Sequence, residues 1–234
     1  MNEVRNWYEK SYKTHGFSAQ RRYPNEELLR FLGVNFFDKN QRSDRKKIKI
    51  LEVGCGSCAN LWMISKEGFD SYGVDLSDKA LGLGKEMLDN WGVGATLQQG
   101  SFLNLPYEDN TFDVVVDVLS MYCVNHNEYL IGIKEVYRVL KKKGIFFSYT
   151  IGQDSTVFTN YQPAIKIDNY TLNGIFRENS PFSGNHYPFH FWNMEDYKNT
   201  MTRIGFNVNY LESIKKTYYH GREFSEFICA YSIK

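Results

Sequence analysis

The sequence of 234 residues has no excess of either charge: Lys and Arg number 28, Asp and Glu 27, for a formal net charge of +1. That balance removes the electrostatic case for a nucleic-acid partner. Long apolar runs are missing too. No stretch approaches the roughly 18 apolar residues needed to span a bilayer, and the opening segment MNEVRNWYEKSYKTHG has no apolar core of leader-peptide type. A cytoplasmic protein is therefore expected, with neither a membrane nor a nucleic acid as partner. Cysteines number only four. Cys55 and Cys58 form a C-x-x-C pair, but no second pair and no histidine pair follows at zinc-ligand spacing, so no metal is expected. Cys123 and Cys229 lie in apolar runs and read as small core residues. Internal repeats and low-complexity segments are absent as well.

What remains is an ordinary globular composition, 42% hydrophobic, with aromatics at 16% and many of them in the last third. The length suits one α/β domain, or one domain with a small appendage. Before residue 48 the chain reads as helical. Val4, Tyr8 and Tyr12 recur at helical spacing, as do Leu28, Leu29 and Leu32 after a start signal at Pro24-Asn25. The charged stretch KNQRSDRKK reads as a solvated connector.

From Ile48 the texture changes. IKILEV, the segment from Ser71 to Asp75, ATLQQ, FDVVVDVL and IFFSYTI read as buried strands. Helices are expected over 59–67, from an N-cap at Ser77 to Asn90, and over 128–140. Such alternation predicts a parallel sheet with right-handed crossovers. After an aromatic-rich, aperiodic stretch over 152–192, MEDYKNTMTRIGF reads as a helix ending at Gly205. FNVNYLES and EFICAYSI are two further strands. The interval IKKTYYHGR between them is too short for a helical crossover, so they are expected to pair antiparallel.

The segment ILEVGCGSCANL runs a buried strand into a glycine turn and then a helix. Gly54 and Gly56 permit a sharp turn and a close ligand approach. The following helix start offers amide donors, and Asp75 closes the second strand about 20 residues on, where an acid accepts hydrogen bonds from ribose hydroxyls. On spacing alone, Gly54, Gly56 and Ala59 also satisfy the dinucleotide signature G-x-G-x-x-G/A.

Three further features discriminate: Glu52 two residues before the first glycine, the form of FDVVVDVL, and the two-stranded C-terminal segment after Gly205-Phe206. Together, from Ile48 onward, they resemble the class I, Rossmann-like methyltransferases that use S-adenosyl-L-methionine and release S-adenosyl-L-homocysteine. The resemblance implies an α/β fold in which a seven-stranded, mostly parallel sheet with an antiparallel C-terminal strand carries helices on both faces. The final strand, near Phe227 to Ser232, would lie between the fifth and sixth.

In that family the first motif is E-x-G-x-G-x-G. Here Cys58 replaces the last glycine, a change tolerated if the position falls in the first helical turn. By resemblance, Glu52, Gly54, Cys55 and Gly56 lie around the methionine part of the cofactor, with Glu52 in a supporting role. Asp75 takes the ribose and Leu76 packs beside the adenine. Ser101 and the Phe102 amide face the base, and Asp117 and Val118 meet the methionine end.

The substrate end is less determined. In NSPFSGNHYPFHFWN, His186 and His190 stand either as a general base or as parts of an aromatic mini-core. Tyr122, just past the fourth strand, is a third catalytic candidate. Arg22 and Tyr23, with Arg21, precede a helix and would bind the cofactor carboxylate or an anionic substrate, or else form an exposed pair. The expected organisation is a single domain, with 1–47 as a helical lid and 152–192 as an insertion walling the acceptor pocket. The expected activity is methyl transfer to an oxygen of a small sugar-, phosphate- or nucleotide-linked molecule, by a monomer or homodimer. A nicotinamide-dependent oxidoreductase is disfavoured by the missing Tyr-x-x-x-Lys pattern; a non-catalytic cofactor-binding module is the other alternative.

Overall fold

The computed structural model describes residues 2–234. Helices α1 (Asn2–His15) and α2 (Glu26–Leu32) and the single turn α3 (Arg42–Arg45) precede the sheet. There follow β1 (Lys49–Val53), α4 (Leu61–Lys66), β2 (Asp70–Asp75), α5 (Asp78–Trp91), β3 (Thr96–Gln99), β4 (Phe112–Val118), α6 (His126–Val139) and β5 (Leu140–Ile151). The last third holds α7 (Thr156–Thr159), β6 (Thr171–Leu172), β7 (Phe189–His190), α8 (Met194–Ile204), β8 (Asn207–Tyr218) and β9 (Glu223–Ile233).

Seven strands form one sheet in the order β3-β2-β1-β4-β5-β9-β8. The first five are parallel. β9 runs antiparallel between β5 and β8, as expected from the sequence. One boundary differs. Most of the supposed connector IKKTYYHGR is strand: β8 continues to Tyr218, pairing with Glu223, so the hairpin turn is only Tyr219–Arg222.

The central strands are continuous apolar runs because both faces of the sheet are covered. Successive residues alternate between two cores. Val114, Val116 and Phe147 join Leu28, Phe31, Leu61 and Ile64 on the face carrying α2 and α4. Val115 and Phe146 join Tyr129, Ile133 and Met201 on the face carrying α6 and α8. Helix starts are set by side-chain caps: Asn25 before α2, Ser77 before α5, Asn193 before α8, and a capping box of Asn125 with Glu128 that starts α6 at His126.

Two local expectations need correction. α4 starts at Leu61 rather than Ala59, and Cys58 lies outside it with φ +62°. The cysteine therefore holds the left-handed conformation that a glycine would take more cheaply. KNQRSDRKK is not wholly a solvated connector either. Arg45 is buried, stacks on the Phe37 ring at 4.6 Å, and donates to Glu67 Oε2 (2.7 Å) and the Phe37 carbonyl (3.1 Å).

The 152–192 segment is tied to the end of β5, where the Trp192 amide donates to the Ile151 carbonyl (3.0 Å). Within it, β6 and β7 pair antiparallel. Phe189, Phe191 and Trp192 are fully buried and extend the α6–α8 core.

Candidate functional site

In an open parallel sheet the strand ends nearest the order reversal leave a crevice, because neighbouring crossovers depart to opposite faces. Here that crevice is a cavity of about 710 Å³ above the carboxyl ends of β1, β2 and β4. Its floor is the glycine turn. Gly54 and Gly56 have φ +63° and +51°, and a Cβ on Gly54 would collide with the Ser120 side chain. Asp75 fixes the turn from the side: its Oδ2 accepts from the Gly56 amide and its Oδ1 from the Ser77 amide, both at 2.9 Å. Burial is the main cause that raises the Asp75 pKa, against the pull of those amides.

Glu52, the residue before the last of β1, lies beneath the same cavity. Its Oε1 accepts from Asn60 Nδ2 at 2.6 Å, and the Asn60 side-chain oxygen accepts from the Asn25 amide at 2.8 Å. One chain of polar contacts thus links α2, α4 and β1. Oε2 of Glu52 is buried without a partner among the described residues. Burial pushes the Glu52 carboxyl up to about 8, moderated by Asn60 and by the Arg21 cation.

The roof comes from outside the parallel sheet. α1 contributes Val4, Trp7, Tyr8 and Tyr12, and the 152–192 segment contributes Pro181, Phe182 and Asn185. Trp7 Nε1 donates to the Gly184 carbonyl (3.0 Å), which joins these two elements. Tyr8, Tyr122 and Tyr187 form a hydroxyl cluster: Tyr8 lies 3.3 Å from Tyr122 and 2.9 Å from Tyr187, oxygen to oxygen. Burial holds all three phenols well above their ordinary range, Tyr122 at about 12. They remain protonated and cannot serve as bases at neutral pH.

Of the residues singled out from sequence, Glu52, Gly54, Cys55, Gly56, Asp75, Leu76, Phe102, Val118 and Tyr122 line the cavity together. The others do not. Ser101 turns inward on its own loop, its Oγ accepting from the Leu103 amide (3.1 Å), while Gly100 and Phe102 reach the cavity. Asp117 is fully buried below it, Oδ1 accepting from the Ser120 and Met121 amides at 3.0 Å. Arg22 and Tyr23 point away: the Arg22 guanidinium lies over Phe17, and Tyr23 is 67% exposed against Trp91. Arg21 lines the cavity in their place.

Neither histidine reaches the cavity. His186 is exposed and packs on Phe176. His190 is 0% exposed on the α6 side, 3.0 Å from His126 Nδ1, with burial lowering its pKa well below normal. Both residues of β7 are fully buried and neither lines the cavity, and the rings of Tyr129 and Trp192 close around the His190 imidazole.

Several lining residues had no distinguishing sequence signal. Tyr8 and Tyr12 show helical spacing, which α1 obeys, yet nothing in that spacing says that the buried stripe faces a cavity. Asn60 carried no signal, and neither did Tyr187, which lies behind the lining and bonds Tyr8. Among the described residues no group of three His, Cys, Asp or Glu is arranged to hold a metal ion, and no helix is long and apolar enough to cross a membrane.

Residues 50–144 match the family model described as a methyltransferase domain. A demethylmenaquinone methyltransferase of Staphylococcus aureus is 35% identical over 104 residues, covering 43% of this chain and 42% of that protein. A Haemophilus influenzae protein is 30% identical over 144 residues, covering 56% and 57%. The chain thus spans about half the length of these relatives. The fold matches magnesium protoporphyrin IX methyltransferase from Synechocystis, solved with bound S-adenosylhomocysteine, with TM-score 0.71, 11% identity, and coverage of 100% and 99%. It also matches the PH0226 protein of Pyrococcus horikoshii, with TM-score 0.66, 20% identity, and coverage of 96% and 99%. Residues 50–144 are thus similar to a methyltransferase domain, and the sheet that carries them has the Rossmann-like fold of these solved structures.

Proposed function

We propose that the protein is an S-adenosylmethionine-dependent methyltransferase acting on a small polar molecule. The observation that carries the reading is the cavity itself. A left-handed glycine turn, the acid Asp75 and the buried, half-partnered acid Glu52 converge beneath it, and aromatic rings close it above.

These residues fit the cofactor group by group. Glu52 Oε2, an acceptor buried without a donor, suits an ammonium, whose charge would favour the ionised carboxylate. Arg21 suits the cofactor's carboxylate. The acceptor capacity left on Asp75 suits ribose hydroxyls. Leu76 and Phe102 offer apolar faces to a purine. When bound, S-adenosylmethionine supplies a methyl group on a positively charged sulfur, open to in-line displacement. The chain's own part is to orient the acceptor and keep water out. α1 and the 152–192 segment do this as a lid and a wall, held together by the Trp7–Gly184 and Tyr8–Tyr187 contacts.

The receiving atom is proposed to be an oxygen. The aromatic faces and polar tips of Trp7 and Tyr8, with the amide of Asn185, suit a sugar-, phosphate- or nucleotide-linked acceptor. The test is calorimetric. S-adenosylhomocysteine should bind, and nicotinamide dinucleotides should not. Nicotinamide binding without S-adenosylhomocysteine binding would replace this reading with that of an oxidoreductase.

A further inference from the structure

We propose that Asn60 is a positioning residue for the cofactor: it holds one oxygen of Glu52 so that the other receives the ammonium of S-adenosylmethionine, and Glu52 gives up a proton as that ammonium arrives. The inference rests on the methyltransferase reading above and names how its cofactor site is set. It starts from the direction of two hydrogen bonds. A backbone N–H can only donate, so the atom of Asn60 that faces the Asn25 amide at 2.8 Å is its oxygen. The side-chain nitrogen therefore serves Glu52, reaching Oε1 at 2.6 Å. The Asn25 end is itself fixed, because its side chain accepts from the Glu27 and Leu28 amides and starts α2. Asn60 and Glu52 are 2% and 3% exposed, so water does not compete for these bonds. The carboxyl is thereby held with Oε2 as its free acceptor, and both residues line the cavity.

The proton follows from the same geometry. Oε2 has no donor among the described residues, and a buried carboxylate with an unpartnered oxygen is costly. Asp75 on β2 and Asp117 on β4 add negative charge and favour the neutral acid, while the Asn60 bond and the Arg21 cation favour the ion. Burial outweighs both, so at neutral pH the carboxyl is mostly protonated before the cofactor binds. An ammonium brings the opposite charge and up to three N–H donors to the one oxygen that lacks a donor. The carboxyl O–H then breaks, its proton leaves to solvent, and an N–H···O bond forms in its place. Asn60 has two parts in this step. It fixes which oxygen is free, and its own bond stabilises the ion, which keeps ionisation within reach of neutral pH.

The experiment is calorimetric titration of S-adenosylhomocysteine, which carries the same ammonium, into the full chain in phosphate and in Tris, whose different heats of ionisation count the protons released. At about pH 7 the wild type should release about one proton more than Glu52→Gln, in which the ligand's own ionisation is unchanged and cancels. Should Glu52→Gln bind too weakly to titrate, the wild-type count alone decides, because an amine ligand takes up protons on binding as an ammonium and releases none. Asn60→Ala, or Asn60→Ser should the first not fold, should bind on the order of tenfold more weakly than wild type at about pH 7, the scale of a lost hydrogen bond to a charged group. At about pH 9 the deficit should shrink to about twofold, because Glu52 is then largely ionised in the wild type and about half ionised in the variant. A role confined to packing would weaken binding by one factor at both pH values. No proton released beyond Glu52→Gln, or an Asn60 variant that binds like wild type or is weakened equally at both pH values, would overturn the assignment. Failure of S-adenosylhomocysteine to bind the wild type would instead refute the methyltransferase reading.

Discussion

Asp117→Asn should make the protein more stable at neutral and alkaline pH. Asp117 is fully buried at the end of β4, and burial raises its pKa from 3.8 to about 7 despite the two amides it accepts. Its Oδ2 has no partner among the described residues. The folded protein therefore keeps this proton over a range in which the unfolded chain has lost it. Stability falls as pH rises from about 3.8 to about 7 and this contribution is level above. Three pKa units at 1.36 kcal/mol each give a penalty of about 4 kcal/mol at full ionisation. Asparagine keeps an oxygen for the Ser120 and Met121 amides and removes the charge. Urea unfolding of both proteins between about pH 4 and pH 9 should show a gap of about 2–4 kcal/mol above pH 7, shrinking toward zero near pH 4. Glu52 titrates in both proteins, and because the Asp117 charge is one of the causes that raise its pKa, removing that charge adds to the gap in the same direction. A gap independent of pH, or one that widens toward acid, would refute the reasoning.

Other substitutions probe the cavity and its supports. Asp75→Asn replaces one of the two oxygens that tie down Gly56 and Ser77 and removes the charge, so S-adenosylhomocysteine affinity by calorimetry should drop about tenfold or more. Gly54→Ala forces a side chain into left-handed backbone and onto Ser120; loss of about 2 kcal/mol or more in unfolding, together with loss of cofactor affinity, is expected, and a stable, fully binding variant would contradict the packing. Asn25→Ala removes the cap that accepts from the Glu27 and Leu28 amides and should cost about 1 kcal/mol in chemical denaturation.

The sequence determined the sheet, the glycine turn and the acid after it, for a local reason. Buried strands must be apolar on both faces, helices announce themselves by caps such as Asn25 and Ser77, and a turn with left-handed backbone selects glycine. Those rules act within a few residues and are readable in order. They also fixed the C-terminal hairpin, because a short connector permits only antiparallel return. Tertiary structure decided what the same rules leave open. Cys58 accepts a left-handed backbone because the turn around it is set by Asp75 and Val74. Asp117 and Val118 are neighbours in sequence, yet alternation sends one beneath the loop and the other to the cavity. His190 is drawn into the α6 side by the aromatics that surround it, while Tyr8, on a helix more than a hundred residues from Tyr122 and Tyr187, completes their hydroxyl chain. Contacts of that range depend on how α1 and the 152–192 segment close over the sheet, and no local pattern in the sequence encodes that closure.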